Sequence, residues 1–138
     1  KVGADLLSET LRSFGSIKPR IQDHSASTLA PIMKKEDGRF DWTFPADRIT
    51  RMVRGFQPFP TTYTLYDGKK LTIWNADSRT DNSGRDSGEV VATGDELEIA
   101  CGEGTSLTIS ELQLEGKKRM SARDFLNGVK LKLGDRLR

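Results

Sequence analysis

Residues 61–74 read Thr-Thr-Tyr-Thr-Leu-Tyr-Asp-Gly-Lys-Lys-Leu-Thr-Ile-Trp. Tyr63 and Leu65 recur with period two, Leu71 and Ile73 do the same, and Asp67-Gly68 stands between the runs. An Asp-Gly pair flanked by such alternation is a strong short-range sign of a β-hairpin, because these residues tolerate the positive φ angles of a two-residue turn. Of this first run, Leu65 is assigned to the core. Downstream, Val90 to Ala92, then Leu97 and Ile99 alternating with Glu96, Glu98 and Ala100, predict two more short strands around Thr93-Gly94-Asp95. Leu107 and Ile109 keep one phase and Leu112 and Leu114 the other, so a bulge or bend is expected near Ser110-Glu111. Five or six short strands at this spacing predict a mainly β domain with short helices, closed as a small β-barrel. Asp77 to Gly88, all turn formers and charge, is expected as a mobile surface loop.

Helical periodicity appears in three places. Leu7, Leu11 and Phe14, with Leu6 beside them, predict a short amphipathic helix over Ala4–Phe14 that Gly15 ends. Residues 16–44 contain Pro19, Pro31, Gly38 and no sustained period, and read as a linker with one short strand at Arg39–Trp42. A second helix is expected from about Pro45 to Gly55. At about 100° per residue, Met52, Phe56, Ile49 and Val53 gather on one side, and Arg48, Arg51 and Arg54 form a stripe on the other. Ser121, with Asp124 three residues on and Met120 and Phe125 placed as a staple, starts a third helix that Asn127-Gly128 stops. The expected core is Trp42, Ile49, Met52, Val53, Phe56, Leu65, Ile73, Ile99, Leu107, Ile109 and Phe125.

The chain has 138 residues, with 22 Lys and Arg against 20 Asp and Glu. That length suits one compact domain with an appendage and excludes collagenous, coiled-coil and multi-domain architectures. The longest uncharged stretch, Gly55 to Tyr66, is rich in Pro and Thr and far short of the about 20 apolar residues of a membrane span. A single cysteine cannot form an internal disulfide, and with one histidine it cannot build a zinc site of several such ligands; it points to a reducing, intracellular setting. The near-neutral balance hides segregation. Residues 46–80 carry 6 basic and 3 acidic side chains, 81–116 carry 1 and 9, and 117–138 carry 8 and 2. If the two basic segments meet in space, one face attracts a polyanion although the net charge is only +2.

The residues that could carry chemistry within the chain have plainer readings. His24 sits in a polar stretch beside Asp23 and reads as solvated or capping. Cys101 ends an apolar strand with no cationic neighbour to depress its pKa, so it reads as a small buried hydrophobe. Gly102-Glu103-Gly104 is a hairpin turn, since no helix follows as a phosphate loop requires. Asp95, Glu96 and Glu98 could suggest a metal cluster, but alternation turns Glu96 and Glu98 to solvent. Trp42 and Trp74 could stack on bases, yet each adjoins an apolar strand and reads as core or rim packing. Gly116-Lys117-Lys118-Arg119 is different. It leads into a helix N-terminus, where positive charge gains nothing from the helix dipole, and placement against local preference hints at function.

Four blocks then carry a resemblance: Leu29-Ala-Pro-Ile-Met-Lys-Lys-Glu-Asp-Gly-Arg-Phe-Asp-Trp42, Arg54-Gly-Phe-Gln-Pro-Phe-Pro60, Cys101-Gly-Glu-Gly104, and Leu112-Gln-Leu-Glu-Gly-Lys-Lys-Arg-Met120 followed by Asp124-Phe-Leu-Asn-Gly128. In this order they resemble the C-terminal part of the methionyl-tRNA formyltransferase family, over nearly the whole chain. The chain departs from the family at Phe59, where Trp is usual, and at Thr61-Thr62, where a small Gly-Ala-like pair is usual. The resemblance implies an OB-like barrel over residues 45–138, a linker over 17–44, and over 1–16 the last helix of an N-terminal catalytic domain, whose start Gly3-Ala-Asp-Leu-Leu7 matches. It implies that initiator methionyl-tRNA is bound largely without reading base sequence and is presented in cis to that domain, which uses 10-formyltetrahydrofolate and an Asn, a His and an Asp. None of those catalytic motifs is present, so no catalytic residue and no cofactor are assigned to these residues. The expected tRNA-facing set is Lys34, Lys35, Arg51, Arg54, Lys117, Lys118, Arg119 and Arg123, on a monomer of the bacterial cytoplasm or an organelle matrix. The C-terminal domain of a sister formyltransferase, acting on formyltetrahydrofolate or a sugar nucleotide, is the alternative. The Lys-Lys-Arg block favours the tRNA enzyme, since a sugar nucleotide offers only two phosphates to neutralise.

Overall fold

The computed structural model describes residues 1–81 and 83–137, which fall into two compact units, Lys1–Pro31 and Ile32–Arg138. The first unit contains helix α1 (Val2–Arg12) and two single-turn 3-10 helices, Phe14–Ser16 and His24–Ala26. None of the α1 side chains is buried, and Leu6, Leu7, Leu11 and Phe14 are all exposed. Asp23 accepts from the Ser25 backbone N–H at 2.9 Å, which caps the turn holding His24. That hydrogen bond, with one from the Ser25 hydroxyl, holds the Asp23 carboxyl below its ordinary pKa.

The second unit is a six-stranded antiparallel sheet with two helices. Its strands are β1 (Thr62–Tyr66), β2 (Lys69–Thr80), β3 (Val90–Thr93), β4 (Leu97–Cys101), β5 (Thr105–Leu114) and β6 (Met120–Ser121). They run in the order β1-β2-β5-β4-β3, with β6 pairing to β5. The path ends at β1 and β3 without pairing them. Irregular backbone covers both edges instead: Phe40 N–H donates to Tyr63 O at 3.2 Å beside β1, and Val90 and Leu137 N–H donate to Asp135 O and Gly88 O at 2.9 Å beside β3. Backbone thus meets the outer edges at Tyr63 of β1 and Val90 of β3.

The Asp67-Gly68 hairpin forms as expected, with φ of 49° and 73° at its two residues. Its register corrects one expectation. Tyr66 pairs with Lys69, Leu65 with Lys70 and Thr64 with Leu71, so Thr64 and Thr62 share the inner face with Leu71 and Ile73. Thr62 and Thr64 are buried, whereas Tyr63 and Leu65 are only half-buried. A two-residue turn dictates this pairing, and it overrides the hydrophobicity of β1. Asp77–Thr80, expected as loop, continues β2 because it pairs residue by residue with Thr105–Thr108 of β5. The connecting segment therefore begins at Asp81; Asn82 within it lies outside the described residues.

The expected bend is present, and both paired strands share it. Ile73 faces Leu112 and Ala76 faces Ile109, with register shifts on either side of Asn75. All four side chains are buried although each pair is three residues apart along its strand, so both strands exchange inner and outer faces together. Helix α2 (Ala46–Gly55) packs against β2 and β5. It buries Ala46, Ile49, Thr50 and Val53, leaving Met52 half-buried, so the contact is turned toward Thr50 from the expected arc. Full burial of Ile49 alone is worth about 1.5–3 kcal/mol. Helix α3 (Ala122–Gly128) starts as read: Ser121 Oγ accepts from Asp124 N–H at 3.1 Å, and Phe125 meets Tyr66 edge-on with ring centroids 5.7 Å apart.

Residues 32–44, read in the sequence as linker, lie inside this unit and supply Phe40 and Trp42 to the core. Their rings meet edge-on at 4.8 Å from an extended strap that has no period to detect. Glycines let the strap approach. Gly102 N–H donates to Trp42 O at 3.0 Å and Phe44 O at 3.1 Å, and a Cβ on Gly102 would lie 1.8 Å from Thr43 O. Gly102→Ala is therefore expected to destabilise the domain by about 3 kcal/mol or more, while Gly94→Ala, with nothing within 4 Å of its Cβ position, stays within about 0.5 kcal/mol. Thermal melts of the two variants check this.

Candidate nucleic-acid interface

The arginine stripe on α2 is exposed, and its three members differ in what they touch. Arg48 lies over the Phe44 ring, 3.7 Å from its centroid. Arg51 pairs with Asp47 one turn back at 2.5 Å, and that hydrogen bond is the main cause of the lowered Asp47 pKa. Arg54, at the C-terminal end of the helix, has no ion-pair partner among the described residues and lines a groove with Gln57, Trp74 and Arg119. An unpaired arginine at a helix C-terminus is stabilised by the dipole and stays available to an anion.

The Gly116–Arg119 turn joins β5 to β6. Lys117 N–H donates to Leu114 O at 2.9 Å, and Gln113 Nε2 donates to Lys117 O at 2.9 Å, so the backbone of the turn is held while the ammonium groups point to no carboxylate. Lys117 and Lys118 are exposed and without an ion pair among the described residues. Arg119 pairs with Glu111 of β5 and lies over the Trp74 ring, 4.9 Å from its centroid. Arg123 of α3 pairs with Asp95 in the β3–β4 turn. Lys34 and Lys35 sit at a 3-10 turn (Lys35–Gly38) where Asp37 accepts from Lys34 N–H at 2.7 Å, again leaving both ammonium groups exposed and unpaired.

The structure thus gathers part of the expected set. Arg54 and Arg119 share a groove, and Lys117 and Lys118 stand beside Arg119 on one turn. No shared groove, hydrogen bond or ion pair among the described residues links Lys34, Lys35 or Arg123 to that group. Of the eight, Arg51, Arg119 and Arg123 already have carboxylate partners, and the other five have none among the described residues. Gln57, Trp74 and Glu111 belong to the site and were not expected there. The sequence signal for Trp74 and Glu111 was the phase change itself, since a bend in paired strands turns the residues at it outward; Gln57, in the turn after α2, had no such signal.

Residues 32–130 match the family model for the formyl transferase C-terminal domain. The chain belongs to that family. It is 44% identical over 137 residues to a methionyl-tRNA formyltransferase of Citrifermentans bemidjiense, covering 97% of this chain and 42% of the relative. It is 45% identical to one of Solibacter usitatus over 138 residues, covering 99% and 44%. The chain spans less than half the length of these relatives. Among solved structures, HypX from Aquifex aeolicus in complex with tetrahydrofolic acid superposes with a TM-score of 0.59 over 97% of this chain and 26% of that one, at 21% identity. That likeness concerns the fold.

Among the described residues of this formyltransferase domain, the titratable groups singled out in the sequence have these surroundings. His24 is exposed in the first unit. Glu96 pairs with Arg79 at 3.2 Å on the solvent side, and Glu98 accepts from Ser106 Oγ at 2.5 Å. Cys101 is buried, and desolvation pushes its thiol from 9.0 up to about 12. A maleimide at pH 8 is expected to leave Cys101 unmodified in the folded domain and to label it once denatured, as mass spectrometry reads. Because the folded pKa lies above the unfolded one, this thiol favours folding below about pH 9, and its contribution is lost as the pH rises toward 12.

Proposed function

We propose that the chain is the C-terminal part of a methionyl-tRNA formyltransferase and that it binds initiator methionyl-tRNA through Lys34, Lys35, Arg51, Arg54, Lys117, Lys118, Arg119 and Arg123. The observation that carries this reading is the Lys117-Lys118 pair. Two exposed cations stand on a backbone-pinned turn with no carboxylate to satisfy them, in a chain 39–45% identical along nearly all its length to enzymes named for methionyl-tRNA. Such cations are available to phosphates, and phosphate contacts hold an RNA in place without reading its bases.

The formyl transfer in this reading belongs to an N-terminal domain that uses 10-formyltetrahydrofolate. In this reading the single histidine, exposed in the first unit, and the single thiol, buried and raised to about 12, take no part in that transfer. Helix α1, with its apolar side chains exposed, is read as packing on the catalytic domain, and the stretch after it as the connection to the sheet.

Each Lys or Arg that neutralises a phosphate releases counterions, which gives binding a log–log salt slope of roughly 0.7 to 0.9 per contact. A Lys117→Glu/Lys118→Glu double variant is expected to bind initiator and elongator tRNA alike more weakly, with the slope flattened by roughly 1.4 to 1.8 and the melting temperature nearly unchanged. Filter binding across a salt series reads both quantities. Full affinity with an unchanged slope would mean that the turn is only solvated, and no gel retardation of tRNA by the unmodified chain at low salt would remove the reading altogether.

A further inference from the structure

Arg119 differs from its two neighbours on the turn. Its charge is met by Glu111, and its guanidinium lies over the Trp74 indole, 4.9 Å from the ring centroid. To follow a phosphate it would have to leave both. Trp74 is fixed in turn: its Nε1 donates to Gln113 Oε1 at 3.1 Å, and its carbonyl accepts from Gln57 Nε2 at 2.8 Å, an amide that also donates to Val53 O at 2.8 Å. The Trp74 indole, with the Arg119 guanidinium over it, is therefore held in place at the sheet's bend.

The groove beside this pair has a volume of about 420 Å³, within the range of small-ligand sites. Among the described residues, Arg54 is its cation without a carboxylate partner, while Asp77 and Glu111 also line it. Two carboxylates repel a continuous phosphate track, but they accept hydrogen bonds from the amino groups of a base. The lining thus suits one nucleotide, its base toward the platform and its phosphate at Arg54. A duplex keeps its bases stacked inside, so the nucleotide has to be unpaired.

We propose that Arg119 and Trp74 form a base-stacking platform for one unpaired RNA nucleotide, whose phosphate is held by Arg54. The proposal rests on the tRNA-binding reading and assigns Arg119 a stacking role in place of a phosphate contact. Trp42 is buried, so a change in tryptophan emission on adding RNA reports Trp74. A single-stranded oligoadenylate hexamer is expected to quench that emission, and an abasic hexamer with the same phosphates is not. Trp74→Leu is expected to weaken oligoadenylate binding by between about fivefold and about a hundredfold and to leave binding of the abasic chain unchanged. Trp74→Phe, which keeps a ring, restores most of the loss. Unquenched emission of the unmodified chain at saturating oligoadenylate, or equal oligoadenylate affinity of the unmodified and Trp74→Leu chains, overturns the platform while tRNA retardation stands. Absence of tRNA retardation overturns this inference together with the reading beneath it.

Discussion

Between Ile73 and Ala76 on β2, and between Ile109 and Leu112 on β5, both strands reverse which face looks inward. The reversal has to be shared. If one strand slipped alone, every later pair would set an apolar residue against an outward one. Because they slip together, Leu71, Ile73 and Leu112 line the core before the bend, and Ala76, Leu107 and Ile109 line it after. The same reversal turns Trp74 and Glu111 outward, where Arg119 meets them. The core and the candidate interface thus depend on one irregularity.

Around that bend, backbone hydrogen bonds hold the sheet's edges. The strap at residues 38–45 reaches the β4–β5 turn only because Gly102 has no side chain, and Gly38 plays the same part beside Thr61, where a Cβ would lie 2.0 Å from the carbonyl oxygen. Thr61 itself has φ of 66°, a left-handed conformation unusual for a β-branched residue. The tail closes the other side, with Leu137 buried and its N–H given to Gly88.

Electrostatics divides the basic residues into two kinds. Arg51, Arg119 and Arg123 each have a carboxylate partner, whereas Lys34, Lys35, Arg54, Lys117 and Lys118 have none among the described residues. Exposed ion pairs contribute little to stability, so their main consequence is orientation: a paired guanidinium is held in one place. An unpaired ammonium is mobile and fully available to a polyanion. A chain whose overall charge is only +2 thus keeps exposed unpaired cations at Lys117 and Lys118 although Glu111 and Asp95, from its acidic stretch 81–116, pair with Arg119 and Arg123.

Local sequence determined the Asp67-Gly68 hairpin, the span of α2, the Ser121 cap and the bend near Ser110-Glu111, because each is set by a few neighbouring residues with strong conformational preferences. It also marked Lys117 and Lys118 through their placement against the helix dipole. Tertiary structure decided the rest. Thr62 and Thr64 took the inner face of β1, leaving Leu65 half-buried, because turn register outranks side-chain hydrophobicity. Asp77–Thr80 became strand because β5 was there to pair with it, and Phe40 joined Trp42, already expected in the core, from an aperiodic strap. Which arginines are paired depends on Asp95 and Glu111, 28 and 8 residues away along the chain from their partners Arg123 and Arg119. Charge pairing across that separation is a property of the folded sheet, and no window of local sequence contains it.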